Sequence, residues 1–139
     1  MYKKILHGND ASENAFKALS SAIELAKMCG AELHSISVEE VPQYAGTIGE
    51  VIEEQEAQNG KYGAALERAN VMAAEAGVPL ATHVVIGHEV KTIIEFIKAG
   101  GFDLLVVGFM GRSAIYDRVM GSTCQNLVRL AKCNVLVVK

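Results

Sequence analysis

The chain has 139 residues, half of them apolar and 21% charged, which is the composition of one ordinary globular domain, residues 1–139, and excludes an intrinsically disordered protein. Thirteen Lys and Arg against sixteen Asp and Glu give a net charge of −3, which excludes the broad basic face of a nucleic-acid-binding protein. The longest apolar run, 104–110, is far shorter than the ~18 residues that a membrane span needs, so we expect no membrane partner.

Short apolar runs alternate along the chain with segments that have the periodicity or composition of helices. The runs predicted as strands are, in chain order, residues 4–9, 33–38, 82–86, 104–107 and 135–138. The segments predicted as helices are 16–26, 48–76, 90–97 and 124–131. Asp10 or Ser12 is the expected cap of the first helix and Gly30 its stop, whereas Gly60 and Gly63 are expected to interrupt the second.

The last two predicted strands are apolar at consecutive positions, 104–107 and 135–138. Such a strand has both of its faces covered, which is typical of a parallel sheet flanked by helices. Together with the alternation of strands and helices, this predicts a single α/β domain, a doubly wound sheet of five parallel strands with helices on both faces.

Cysteine usage and the N-terminus bear on the compartment. Cys29, Cys124 and Cys133 lack the spacing of a disulfide framework or a zinc site. The first residues lack the long apolar region and the cleavage site of a secretory signal. We therefore predict a cytoplasmic protein.

Ligands of doubly wound sheets bind beyond the carboxyl ends of the strands, so the residues just after each strand are the candidate site. After the fourth strand come Gly108 and Gly111, then a nine-residue loop, and then Gly121-Ser122-Thr123 at the start of the last helix. Glycines let a backbone approach a phosphate, and the N–H groups at a helix start favour an anion. Arg112 and Arg118 add positive charge to the loop. The pattern predicts a phosphate site, with a plain helix cap at Ser122 as the alternative.

Several other nucleotide and hydrolase motifs are absent from the sequence. The first strand is not followed by GxGxxG, and GxxxxGK[ST] does not occur, which argues against a dinucleotide Rossmann site and a P-loop. The hydrolase nucleophile motif GxSxG is also missing.

The spacing Gly108-x2-Gly111-x9-Gly121-Ser122 resembles the Gly-2x-Gly-9x-Gly-(Ser/Thr) signature of ATP-binding universal stress proteins. The resemblance extends over essentially the whole chain. Further segments that carry it are Lys3-Lys4-Ile5-Leu6 with Asp10-Ala11-Ser12-Glu13, Asp103-Leu104-Leu105-Val106-Val107-Gly108, and 131–138. His7-Gly8-Asn9 and Phe109-Met110 depart from the usual family pattern, which leaves open whether the ligand is AMP, ATP or another adenine nucleotide.

The resemblance implies a fold and a set of contacts. It implies the strand order 3-2-1-4-5, with the reversal between the first and fourth strands. It places Asp10 near the ribose and adenine and Val38 on the adenine. It places Gly108 and Gly111 near the ribose and α-phosphate, and a divalent ion such as Mg²⁺ would be carried on the phosphates. The residues that would hold the outer phosphates are Gly121, Ser122 and Thr123.

Two alternatives to a regulatory nucleotide-binding protein remain open. A slow ATP hydrolase or phosphoryl-transfer enzyme would need a general base, and Asp10 and Asp117 are the loop carboxylates within reach. A dimerisation or adaptor module with an empty site is the other. In the family's strand order the last strand lies at the sheet edge, and its apolar residues predict pairing with a second copy. These residues are Val135, Leu136, Val137 and Val138.

Overall fold

The computed structural model describes residues 1–40, 48–110 and 120–139, and for 48–59 and 61 it describes the helical backbone alone. Strands and helices alternate throughout. In chain order they are β1 Lys4–Gly8, α1 Glu13–Cys29, β2 Glu32–Glu39, α2 Ile48–Glu75, β3 Leu80–Ile86, α3 Glu89–Gly100, β4 Leu104–Gly108, α4 Ser122–Leu130 and β5 Asn134–Val138.

All five strands pair in parallel in one sheet with the order β3-β2-β1-β4-β5. In the register of the central strand, Leu6 lies opposite His34 of β2 on one side and Leu105 of β4 on the other. The chain moves outward from β1 to β3 and then returns to β4 on the opposite side of β1. The predicted fold and strand order are confirmed, and the strand order reverses between β1 and β4.

The two faces of the sheet carry separate apolar cores. On one face Ile5 and Val106 pack with residues of α1 and α2, and on the other Leu6 and Leu105 pack with residues of α3 and α4. Consecutive residues of β4 therefore enter different cores, which explains the uninterrupted apolar run 104–107. Over residues 1–40, 48–110 and 120–139, no helix has both the length and the apolar composition needed to cross a membrane.

Helix α2 corrects one expectation from the sequence. It runs unbroken over Ile48–Glu75, although Gly60 and Gly63 were expected to interrupt it. Helix propensity is overridden here by tertiary packing, because the side chains that α2 turns toward the sheet are buried. These side chains are Tyr62, Ala65, Ala69 and Ala73.

Candidate functional site

A pocket of about 290 Å³ lies beyond the carboxyl ends of β1 and β4, where the strand order reverses and where ligands of doubly wound sheets bind. Residues of five elements, β1, α1, α3, β4 and α4, line it, and five of the predicted site residues are among the lining residues. These five are Asp10, Gly108, Gly121, Ser122 and Thr123. The volume is at the lower end of the range for small-molecule pockets, roughly 300–1,000 Å³.

The turn that carries Asp10 is held by a chain of hydrogen bonds. One oxygen of Asp10, Oδ1, accepts hydrogen bonds from the Ser12 N–H at 3.0 Å and the Ser12 hydroxyl at 2.5 Å. The Ser12 Oγ in turn accepts from the Ala15 N–H at 3.1 Å, so Ser12, not Asp10, is the N-cap of α1. Ala11 has a φ of +68°, a left-handed conformation that is strained for a residue with a Cβ. These hydrogen bonds hold Asp10 at the pocket that it lines.

The buried side chain of His7 contacts the start of α1, next to this turn. It is fully buried, and its Nε2 lies 2.7 Å from the Ala15 carbonyl oxygen while its Nδ1 lies 2.9 Å from the Ser35 Oγ. Because a carbonyl can only accept, Nε2 carries the proton, and Nδ1 of the neutral ring accepts from the Ser35 hydroxyl. Burial lowers the pKa of His7 to about 4, against opposing contributions from the Ala15 hydrogen bond and Asp10. The neutral imidazole thus joins β1, β2 and the start of α1.

Gly108 has a packing role at the floor of the pocket. A Cβ added there would lie 2.9 Å from the backbone carbon and oxygen of Asn14, closer than a real contact allows. The end of β4 therefore approaches the first turn of α1 in a way that only glycine permits. This requirement exists without any ligand.

The start of α4 forms the opposite wall. Gly121 is its N-cap, and the Gly121 N–H donates to the Phe109 carbonyl oxygen at 3.0 Å, so this N–H is already engaged. Ser122 is the first helical residue and not the cap, so the alternative that it is a plain helix cap is wrong. The first N–H groups of a helix have no acceptor within it. Here they start at Ser122, beside the pocket that Ser122 and Thr123 line, and they favour an anion.

Three predicted site residues are not part of the pocket as described. Val38 is 6% exposed and packs in the core beneath α3, and it is not among the lining residues. Gly111 and Arg112 fall in 111–119, outside the described residues. Their roles stay predictions.

Glu89, the first residue of α3, also lines the pocket, and sequence reasoning missed it. Its side chain is half-buried, and its backbone N–H donates to Glu40 Oε1 at 3.2 Å. Burial, followed by the negative charges of Asp10 and Glu40, raises the pKa of Glu89 to about 7. The signal in the sequence was its place directly after the third predicted strand, at the same sheet edge as Asp10.

A doubly wound α/β domain with a pocket at the reversal of strand order is a ligand-binding architecture. The profile of the universal stress protein family matches residues 1–139, and the chain belongs to that family. A universal stress protein of Methanocaldococcus jannaschii is 33% identical over 143 residues, covering 100% of this chain and 83% of that protein.

Solved structures agree with this assignment. Universal stress protein UspA from Lactobacillus plantarum superposes with a TM-score of 0.86 at 26% identity, over 99% of this chain and 98% of that one. A universal stress protein crystallised in complex with cAMP has a TM-score of 0.77 at 30% identity, over 99% and 97%. The predicted family is confirmed, whereas the ATP-binding subtype stays a prediction.

Proposed function

We propose that this protein binds an adenine nucleotide, ATP or AMP, in the pocket between β1 and β4 and acts in the cytoplasm as a regulatory stress-response protein. The observation that carries the proposal is the convergence of Asp10, Gly108 and the start of α4 on one pocket. The related protein of 30% identity that was crystallised with cAMP supports an adenine nucleotide as the ligand class.

The residues around the pocket fit such a ligand. In this proposal the phosphates lie at the start of α4, where backbone N–H groups and the hydroxyls of Ser122 and Thr123 donate to them. Asp10 accepts from the ribose hydroxyls. Within the described residues no group of three His, Cys, Asp or Glu lies close enough to hold a metal ion, so an accompanying Mg²⁺ would be coordinated mainly by phosphate oxygens.

The remaining predicted contacts belong to the same proposal. Val38 would contact the adenine, Gly111 would approach the ribose and α-phosphate, and Arg112 would face the phosphate charge. In this proposal, occupancy of the site by the nucleotide is the signal that a regulated partner would read.

Calorimetric titration of the full chain with AMP and with ATP tests the proposal. We expect binding by the wild type and a large loss in Gly121→Asp. An aspartate is a good helix cap, so this variant should keep α4 folded while placing a negative charge against the phosphates. Ser122→Ala should weaken binding, and Ser20→Ala at an exposed position of α1 is its matched control. A wild type without affinity at millimolar nucleotide would refute the proposal.

We further propose that two copies associate through β5. This strand lies at the edge of the sheet with Val135–Val138 half-buried, and an apolar edge strand is prone to pair with another strand. Antiparallel pairing with the same strand of a second copy would give a twofold dimer. Light scattering should show a dimer that Val137→Lys shifts toward monomer. A monomeric wild type at micromolar concentration, or a folded Val137→Lys protein that is still dimeric, would contradict this.

A further inference from the structure

The side of the pocket at the start of α3, which carries Glu89, and the side at the start of α4 differ in charge. The start of α3 is joined to the end of β2, because the Gly87 N–H donates to the Glu39 carbonyl oxygen at 2.9 Å and the Glu89 N–H to Glu40. The start of α4 is joined to the end of β4 through the Gly121 N–H and the Phe109 carbonyl oxygen. Since β1 lies between β2 and β4, the Glu89 side and the α4 side are separated by about two strand spacings, roughly 10 Å.

The Glu89 side of the pocket is acidic. Glu89 and Asp10 both line it, and Glu40 lies close enough to Glu89 to raise the pKa of its carboxyl. Among the lining residues that the structure describes, none is Lys, Arg or His. Because the Glu89 side chain is half-buried, its charge is screened less than that of a fully exposed carboxylate.

We propose that Glu89, acting with Asp10, is a specificity-determining residue that rejects ligands with an anionic group at both ends. The inference rests on the proposed nucleotide site. A ligand with its phosphates at α4 places its sugar toward the carboxylates, which accept hydrogen bonds from free ribose hydroxyls. A phosphate on the 2′- or 3′-oxygen would instead meet Glu89 and Asp10, and the like charges would repel each other. The site is therefore selective against nucleotides that carry a separate 2′- or 3′-phosphate group in addition to the phosphates held at α4.

The test compares AMP with adenosine 3′,5′-bisphosphate and adenosine 2′,5′-bisphosphate as ligands of the full chain at about pH 8. For each bisphosphate, the ratio of its dissociation constant to that of AMP measures the discrimination. We expect the wild type to bind at least one bisphosphate about tenfold or more weakly than AMP. Glu89→Gln removes the charge with little change of shape and should lower that ratio at least threefold, roughly 0.7 kcal/mol by the conversion of tenfold to 1.4 kcal/mol.

Glu95→Gln is the matched control, because Glu95 lies on the same helix at an exposed position and outside the pocket. It makes the same change of net charge, so its ratio should equal that of the wild type. Thermal melts show whether each variant is folded, and Glu89→Ala provides a second charge removal.

The outcomes separate the inference from the proposed function. If AMP binds but the ratio is unchanged in both Glu89 variants, falls equally in Glu95→Gln, or is near one in the wild type, the role of Glu89 is refuted and the nucleotide site stands. If the wild type does not bind AMP or ATP at all, both the proposed nucleotide site and the role of Glu89 are refuted.

Discussion

We expect protonation of His7 to destabilise the folded protein by about 2.5 kcal/mol between pH 7 and pH 4.5. Burial lowers its pKa from 6.5 to about 4, a difference of about 2.5 units at roughly 1.36 kcal/mol each, which gives a limit of about 3 kcal/mol. Between these two values the unfolded chain binds the proton and the folded protein does not. The contribution of His7 is therefore fully present above about pH 6.5 and is lost as the pH falls toward 4.

Urea denaturation at pH 7 and pH 4.5 of the wild type and His7→Gln checks this. The glutamine variant should be less stable at pH 7, because it fills the buried site less well, but its stability lacks this proton dependence. The gap between the two proteins should therefore shrink by about 2.5 kcal/mol at pH 4.5. The difference between variants is the quantity to use, because other groups, including Glu89, titrate over the same range.

His88→Gln is the control, since His88 is an exposed imidazole whose side chain makes no cap hydrogen bond at the start of α3. A gap between wild type and His7→Gln that stays constant within about 0.5 kcal/mol across this range would refute the reasoning that the buried, neutral ring controls acid stability.

Three further changes have expected outcomes. Gly108→Ala should lower the free energy of unfolding by about 1–3 kcal/mol, because the added Cβ meets the Asn14 backbone. Gly63→Ala, with open space around its Cβ, should raise the free energy of unfolding by about 0.5–1 kcal/mol. Urea melts compare the two variants, and equal effects would contradict the packing role of Gly108. Ala11→Gly should stabilise the protein by about 1 kcal/mol by relieving the left-handed φ, measured as a higher Tm, and a lower Tm would mean that the turn tolerates the strain. Glu89→Gln should stabilise the protein by about 2–3 kcal/mol at pH 8 but little at pH 4.5, because the pKa of Glu89 is raised from 4.5 to about 7 in the folded protein. Between these two values the unfolded chain releases the proton while the folded protein keeps it, so the cost of the carboxylate builds up over this range and is complete above about pH 7. A pH-independent difference in urea melts would contradict this.

The fold could be predicted because its signals are local. The uninterrupted apolar run 104–107 indicated a strand with two covered faces. Gly30 ends the first helix with a φ of +65°, as its place in the pattern indicated. The continuity of α2 could not be predicted in the same way. Gly60 and Gly63 weaken a helix locally, and only the packing of α2 against the sheet stabilises it.

The site could be predicted where a residue directly follows a strand, as Asp10 does, or begins a helix, as Ser122 does. Glu89 was missed because a glutamate at the start of a helix is common in sequences. Its burial and its proximity to Asp10 follow from strand order, which brings the ends of β3 and β1 to one edge of the sheet. His34 and His83 show the same limit, since the 2.9 Å contact between their ring nitrogens depends on the register of β2 and β3.

The close approach of Gly108 to Asn14, together with the contacts of His7 and Ser12 to Ala15, ties the first turn of α1 to three strands at once. A change in that part of the pocket disturbs folding before it alters recognition. Anyone who wishes to re-engineer the ligand preference of this protein should therefore vary the α3 and α4 sides, at Glu89 and Thr123, and leave the α1 side as it is.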